Sequence, residues 1–460
     1  MIRKLLIFCV LALCTVTLMP DSVSADNPIV QTRHTADPAP LVFKDTVYVY
    51  TGHDVDNSTW FVMPDWRCYS SKDLVNWTDE GSPLSSKNFS WAGDNYCWAG
   101  QCIERDGKFY YYVPMHPKGP GDFQIGVAVA DNPTGPFKDA LGRPLIATGY
   151  GNIDPTVFID NDGQAYLYWG NPQLRYVKLN RDMISYDQTV GKVDVPLTPG
   201  GFGSHPGGAG GRTNYVEGPW FYRRGDLYYM AYAAGGIPEF LAYSTSTSPT
   251  GPWTYRGIIM PNHLPNLAFT NQLGIFDFKG KSYMFYHNQN LPGGGGFDRS
   301  VCLESFAYNP DGSIPTILPT KAGPPSASPL NPFNETRAAT IAWEVGIQTE
   351  TSDTAGVYVT NIEDGSFIKV ETVDFGKKGA GAFAAKVAGG GSGGSIEVHL
   401  DGVDGVLIAA LPVTDTGDWS KWKTYTTKVT RTTGIHGIYF VFKGAPGQKL
   451  FDFASWKFSK

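Results

Sequence analysis

Three short stretches place a carboxylate directly before a proline, or one glycine further back: ADPAP around Asp37, NIDPT around Asp154 and VEGPW around Glu217. Proline fixes the backbone and brings no N–H, so it suits a strand end that makes no ladder bond. One Asp before a Pro is most often a turn residue or a surface charge. The structural reading of three of them is that they hold strand ends together or bind a cation. Gathered at one place they do more, because clustered carboxylates repel and the repulsion is relieved when one group keeps its proton. A neutral carboxyl beside an ionised one is the equipment for general acid and general base work at a single bond. Cleavage of a glycosidic bond needs such a pair.

The acids are far apart along the chain, so the fold has to collect them. Helical periodicity is almost absent, and one hairpin pattern recurs instead. It reads PLVFKDTVYVYTG, CIERDGKFYYYVP, TVFIDNDGQAYLYWG, PWFYRRGDLYYMAYA and GIFDFKGKSYMFYHN, with turns near Asp45, Gly107, Gly163, Gly225 and Gly280. Asp-Gly and Lys-Gly between alternating apolar strands are strong hairpin signals. Each hairpin is followed by a further strand and turn, as in VAVADNPTGPF and LAYSTSTSPTGPW. Five four-stranded units at regular spacing predict an all-β five-bladed propeller over residues 26–320; a sandwich or barrel of ordinary meanders is the alternative. Counting back eight or nine residues from each turn reaches Asp37, Trp98-Ala99, Asp154, Glu217 and Asn271-Gln272. Rotation about a propeller axis would bring these positions to one mouth of the channel.

The remaining features narrow the setting. In residues 1–25, Arg3 and Lys4 precede an apolar run that ends in Val23-Ser24-Ala25. That is the layout of a secretory signal peptide, and it predicts a soluble, extracellular chain starting near Asp26. Of the cysteines beyond it, Cys97 and Cys102 are the expected disulfide pair, while Cys68 and Cys302 fit buried thiols equally well. The sequons at Asn57, Asn76, Asn88 and Asn334 fit a secreted surface. The net charge of −6 without a basic run excludes nucleic acid as a partner, and no later stretch is long and apolar enough to span a membrane. Low charge, abundant Gly and 14% aromatic residues suit contact with something neutral, flat and polar, which describes a sugar. A monomer is expected.

The acidic motifs with their flanks resemble glycoside hydrolase family 43 over about residues 27–320. The resemblance implies a five-bladed propeller and inversion at the sugar carbon, with Asp37 as general base, Glu217 as general acid, and Asp154 orienting the acid and tuning its pKa. Within the family, WFVMPDWRCYSSKDLVNW, YHNQNLPGGGGFDRSVCLESF and the attached C-terminal domain are most similar to arabinoxylan arabinofuranohydrolases. Arabinofuranosyl side groups of xylan are then the expected substrate. A β-xylosidase, an arabinanase, and a glycan-binding propeller without catalysis are the alternatives. The same resemblance implies that Arg299 reaches the sugar or the catalytic carboxylates. It also implies that Trp98 and Trp169 line the pocket or the groove for the xylan chain, and it makes His287 a further site candidate beside its structural reading. Many relatives hold a channel calcium with a His where this chain has Gln272. No cofactor is therefore expected, and any calcium there would rest on water and amide oxygens.

After a Pro- and Ser-rich connector at 321–332, residues 333–460 read as a run of short alternating strands, a β-sandwich. GSFIKVETVDFG, TGDWSKWKTYTT and IHGIYFVFKG resemble a family-6 carbohydrate-binding module, a jelly roll. The acids that hold that family's structural calcium are replaced here by Arg337-Ala338-Ala339 and by Ala454, so no metal is expected, with Arg337 in the cation's place. In the ligand cleft the resemblance implies Trp419 as a stacking platform and Asp452 as the polar residue on the last strand. Asn361 stands where a second aromatic is usual. A cleft with one platform implies weak binding or a mainly structural module.

Overall fold

The computed structural model describes residues 26–147, 149–205, 213–391 and 393–460. The expected signal segment and most of the loop SHPGGAGGRTN lie outside the described residues.

Five antiparallel sheets follow one another along the first two thirds of the chain, and within each the strands pair in chain order. The first holds β1 (Thr35–Phe43), β2 (Thr46–His53), β3 (Asp65–Ser71) and β4 (Trp77–Ser85). The second holds β5 (Gln101–Arg105), β6 (Lys108–Met115), β7 (Gln124–Ala130) and β8 (Lys138–Asp139). In the third are β9 (Thr156–Ile159), β10 (Ala165–Trp169), β11 (Arg175–Leu179) and β12 (Val193–Asp194). The fourth comprises β13 (Tyr215–Arg224), β14 (Leu227–Ala234), β15 (Phe240–Ser246) and β16 (Thr254–Met260). The fifth has β17 (Gly274–Phe278), β18 (Lys281–Asn288) and β19 (Ser300–Phe306), three strands where four were expected.

The second strand of every sheet explains why these segments are so aromatic. Side chains alternate across a strand, and here both faces are covered. On β6, Phe109, Tyr111, Val113 and Met115 enter a core shared with the first sheet, while Tyr112 enters one shared with the third. On β10, Ala165, Leu167 and Trp169 face the second sheet's side, and Tyr166 and Tyr168 face the fourth. β14 divides likewise between the third and fifth sheets, and β18 between the fourth and the first. Val47 and Val49 of β2 join Phe285 of β18, so the fifth sheet packs back against the first. Chain ends help to close this contact: Ile29 N–H donates to Val301 O (2.9 Å), and Leu303 N–H donates to Asn27 Oδ1 (2.9 Å).

Three expectations fail here. Trp169 is fully buried in the core between the second and third sheets, its Nε1–H donating to Asn152 Oδ1 (3.0 Å), so it lines neither pocket nor groove. Cys97 and Cys102 are both free and buried, as are Cys68 and Cys302. A short separation in sequence is not enough, because Cys102 lies against the Tyr50 hydroxyl and Cys97 against Ser86. Burial pushes both thiols up to about 12. The third concerns the sequon at Asn76, whose side chain is buried rather than presented at a surface.

Beyond the connector, two sheets face each other around a core that includes Val359, Ile368, Phe383, Phe440, Phe453 and Trp456. One carries the strands 348–352, 356–360, 452–459, 380–389 and 418–432, the other 343–345, 367–374, 435–443, 394–400 and 406–413. This sandwich is joined to the first sheet by more than the connector. The short strand Thr340–Ile341 pairs with β4. Asn76 exchanges both amide bonds with the backbone of Glu371, Nδ2–H to O at 2.9 Å and N–H to Oδ1 at 2.8 Å. Arg337 pairs with Glu80 of β4 (2.6 Å), so its charge serves the junction rather than the place of a sandwich cation.

Candidate active site

All five positions reached by counting back from the hairpin turns line one cavity of about 260 Å³: Asp37, Trp98 with Ala99, Asp154, Glu217, and Asn271 with Gln272. The local backbone explains how. The β1–β2 register shifts between Ala36 and Ala39, and the β13–β14 register shifts on both sides of Glu217. In each acidic motif the residue before proline is left-handed: Asp37 at φ 54°, Asp154 at 56° and Gly218 at 58°. Glycine takes that conformation freely, whereas each aspartate carries strain of about 1–3 kcal/mol. Such bulges re-aim side chains off the ladder, and at Asp37 and Glu217 they turn the carboxyls into the cavity.

Asp37 is the most elaborately held. Arg299 Nη1 donates to its Oδ1 (3.1 Å), and Arg299 is itself gripped by Asp54 through Nε to Oδ2 (2.9 Å) and Nη2 to Oδ1 (2.9 Å). His287 supports the backbone. Its Nε2–H donates to Thr270 O (2.8 Å), which leaves Nδ1 to accept the Asp37 N–H (3.2 Å). Burial, with Arg299 nearby, pushes His287 down to about 3, so the ring is neutral and its 3.6 Å approach to Asp37 Oδ1 is not an ion pair. His287 is fully buried behind Asp37, which corrects its expected place among the substrate contacts.

Burial raises Asp37 to about 6 against the lowering pull of Arg299, with Asp54 and Glu217 adding repulsion. Asp154 accepts Gly218 N–H (3.0 Å), yet burial and the charges of Glu217 and Asp37 hold it well above the ordinary carboxylate range. Asn171 Nδ2–H donates to Glu217 Oε2 and fixes that carboxyl. One wall is aromatic: Trp98 is half-buried, packs against Phe123 with the rings tilted (4.2 Å, 32°) and donates to Phe61 O (3.1 Å), with Phe61 and the exposed Trp60 beside it. Gln272 lies along Gly218, and both His287 nitrogens are engaged.

Five residues escaped the sequence reading. Asp54 follows the second strand of its sheet, Asn171 follows a strand end, and Trp60 and Phe61 sit in a loop, so none shares the repeat phase of the acids. Glu239 is the fifth. It precedes a third strand, in IPEF, and its buried carboxyl lines the same cavity as Glu217.

The sandwich site is assembled differently. Trp419 is 37% exposed, but Lys449 Nζ stands over its ring at 4.2 Å. Asp452 is buried, accepting from Thr360 Oγ1 (2.7 Å) and pairing with Lys449 (2.8 Å). It is committed to internal partners, contrary to a ligand-contacting role. Asn361 is exposed with φ 57° and offers no stacking face.

An all-β chain with a cavity of strained, buried carboxyls beside an aromatic wall, followed by a sandwich, has the make-up of a glycoside hydrolase with an accessory module. Comparison with known proteins agrees. The pattern of the glycosyl hydrolases family 43 matches residues 25–314, and that of the carbohydrate binding module family 6 matches residues 337–460. The chain belongs to glycosyl hydrolase family 43, with the propeller fold of that family. It is 32% identical to the arabinoxylan arabinofuranohydrolase of Bacillus subtilis (strain 168), covering 97% of this chain and 94% of that protein. A xylosidase/arabinosidase of Bacteroides ovatus is also 32% identical, over 61% of this chain and 94% of its own. The crystal structure of a family 43 arabinoxylan arabinofuranohydrolase from Bacillus subtilis in complex with cellotetraose superposes with a TM-score of 0.82 at 29% identity, covering 95% and 99% of the two chains.

Proposed function

We propose that this chain is an exported, monomeric hydrolase that removes α-L-arabinofuranosyl side groups from arabinoxylan with inversion, on a propeller of five blades. Five inter-sheet cores in cyclic order support the blade count, and the reading of residues 1–25 supports export. One observation carries the chemistry: Asp37, Asp154 and Glu217 line a single cavity with an aromatic wall.

Asp37 takes a proton from a water on one face of the sugar while Glu217 gives one to the departing xylan oxygen. The two carboxyls need about 6.5–9.5 Å between them to admit that water. Arg299 holds Asp37 in line and favours its ionised form, and His287 fixes its backbone. Asp154 Oδ2 accepts the N–H of Gly218, next to Glu217, and so fixes the backbone that presents the acid. The aromatic faces of Trp60, Phe61 and Trp98 meet the apolar C–H surface of sugar rings.

Products released from wheat arabinoxylan, linear arabinan and xylobiose test the reading. Arabinose from arabinoxylan alone is the expected result. The similarity to a xylosidase/arabinosidase over the propeller favours a second reading, β-xylosidase, which requires xylose from xylobiose. Full turnover by a folded Glu217→Ala variant would exclude Glu217 as the acid.

A further inference from the structure

The cavity holds one carboxyl that these steps leave without a task. Glu239 is 1% exposed. Its N–H donates to Phe269 O (2.9 Å) and its Oε2 accepts Asn271 N–H (2.7 Å), so its place is set by the loop that precedes β17. Its other oxygen, Oε1, is buried without a donor. Glu239 and Glu217 line the same cavity, and each feels the other's charge. As two carboxylates, the pair would set acceptor against acceptor inside the protein, and buried polar atoms without partners are rare because they are costly. A single proton between them removes both the repulsion and the missing donor. Burial and the Glu217 charge hold Glu239 well above its ordinary range, in keeping with that proton.

We propose that Glu239 is a positioning residue that shares one proton with Glu217 and keeps the acid loaded until the leaving oxygen takes it; the inference rests on Glu217 being the acid. As the glycosidic C–O bond breaks, its electron pair stays on the leaving oxygen and the Glu217 proton passes to it. The water that attacks the sugar carbon gives a proton to Asp37, and both carboxyls of the pair are left ionised. After the products leave, Asp37 returns its proton to solvent and the pair takes one back. The other groups facing the pair act in both directions. Asp154 and Asp37 strengthen its hold on the proton, Arg299 and its partner Asp54 act beyond Asp37, and Tyr215, beside Asp154 and Glu217, stays neutral because burial raises its hydroxyl.

The test compares kcat/KM against pH for the wild type, Glu239→Gln and Glu239→Asp. One substrate is an arabinoxylan oligosaccharide and the other is 4-nitrophenyl α-L-arabinofuranoside, whose leaving group departs without a proton. Glu239→Gln keeps the shape of the side chain but removes its negative charge, so the alkaline limb on arabinoxylan is expected to move down by about one pH unit or more. On the nitrophenyl substrate kcat/KM should change by less than about threefold, since acid catalysis is not required there. Glu239→Asp should lie between. Melting curves at pH 7 check that the variants are folded. An unmoved alkaline limb, or equal loss on both substrates, overturns the proposal. So does a cation in the proton's place: Thr270 Oγ1 and the Asn271 side-chain amide also lack partners nearby. In that case calcium raises the wild-type melting temperature, EDTA lowers it, and Glu239→Gln abolishes both responses. Retained arabinoxylan turnover in Glu217→Gln would instead remove the acid assignment itself, a separate failure.

Discussion

Asp37 in the propeller and Asp452 in the sandwich are both buried, and each touches one basic side chain, yet their surroundings are opposites. The cation beside Asp37 is already gripped at two nitrogens by Asp54, and Asp154, Glu217 and Glu239 crowd the same cavity. The cation beside Asp452 has no such rival, and Thr360 adds a hydrogen bond. Burial raises both carboxyls, and Lys449 and Thr360 counter only part of the rise at Asp452. The aromatic faces differ too: Trp98 lines the open cavity, whereas Lys449 stands on the face of Trp419 where a sugar would stack. Groups kept short of partners are poised for chemistry, and groups given all their partners are structure.

The largest effect that would break this contrast is on turnover. Asp37→Asn and Glu217→Gln are each expected to lower kcat/KM on arabinoxylan by about 10²–10⁴-fold, whereas Asp452→Asn should leave it unchanged. Equal losses in both regions would contradict the division. Next is the pH profile. Asp37 must be ionised, so kcat/KM should fall as pH drops through about 6. Arg299→Gln removes the group that favours the carboxylate and should move that limb upward by about 1–3 pH units.

Stability sharpens the comparison in the other direction. The folded pKa of Asp154 lies above its unfolded value, so protonation stabilises the fold at low pH and that contribution is lost as pH rises. Asp154→Asn should accordingly raise the melting temperature at pH 7 and change it little at pH 3, at the expense of activity. At the junction, Asn76→Ala leaves the Glu371 backbone unpaired and should cost about 1–3 kcal/mol by urea unfolding. The smallest effect concerns the module. Lys449→Ala uncovers Trp419, and retardation of the full chain in xylan-containing gels should increase slightly, while Trp419→Ala in the native background should leave it unaltered.

The acids at the inner strand ends were legible because each is followed by Pro or Gly-Pro at one phase of a repeat, and rotation of the sheets converts a shared phase into a shared place. Glu239 reaches the same cavity, and Asp54 reaches Arg299 behind it, from beside the ends of other strands, so no repeat marked them. Trp169 was misread for a reason particular to this architecture. Both faces of a second strand are buried, and a tryptophan at its end looks in sequence like one that opens on the cavity, as Trp98 does. Asn76 shows the same limit at the junction, since a glycosylation triplet carries no sign that its amide pairs with a strand three hundred residues away. The sandwich itself was plain from alternation alone, but its clamp on β4 depends on a two-residue strand, Thr340–Ile341, too short to signal itself.

The most direct test of separate acid and base roles for Glu217 and Asp37 is proton NMR of arabinose in the first moments of its release from arabinoxylan, before mutarotation. Attack by a water that Asp37 activates predicts the β anomer from an α-linked side group. The α anomer appearing first would mean that a carboxylate attacks the sugar itself, contradicting the assignment of the two carboxyls.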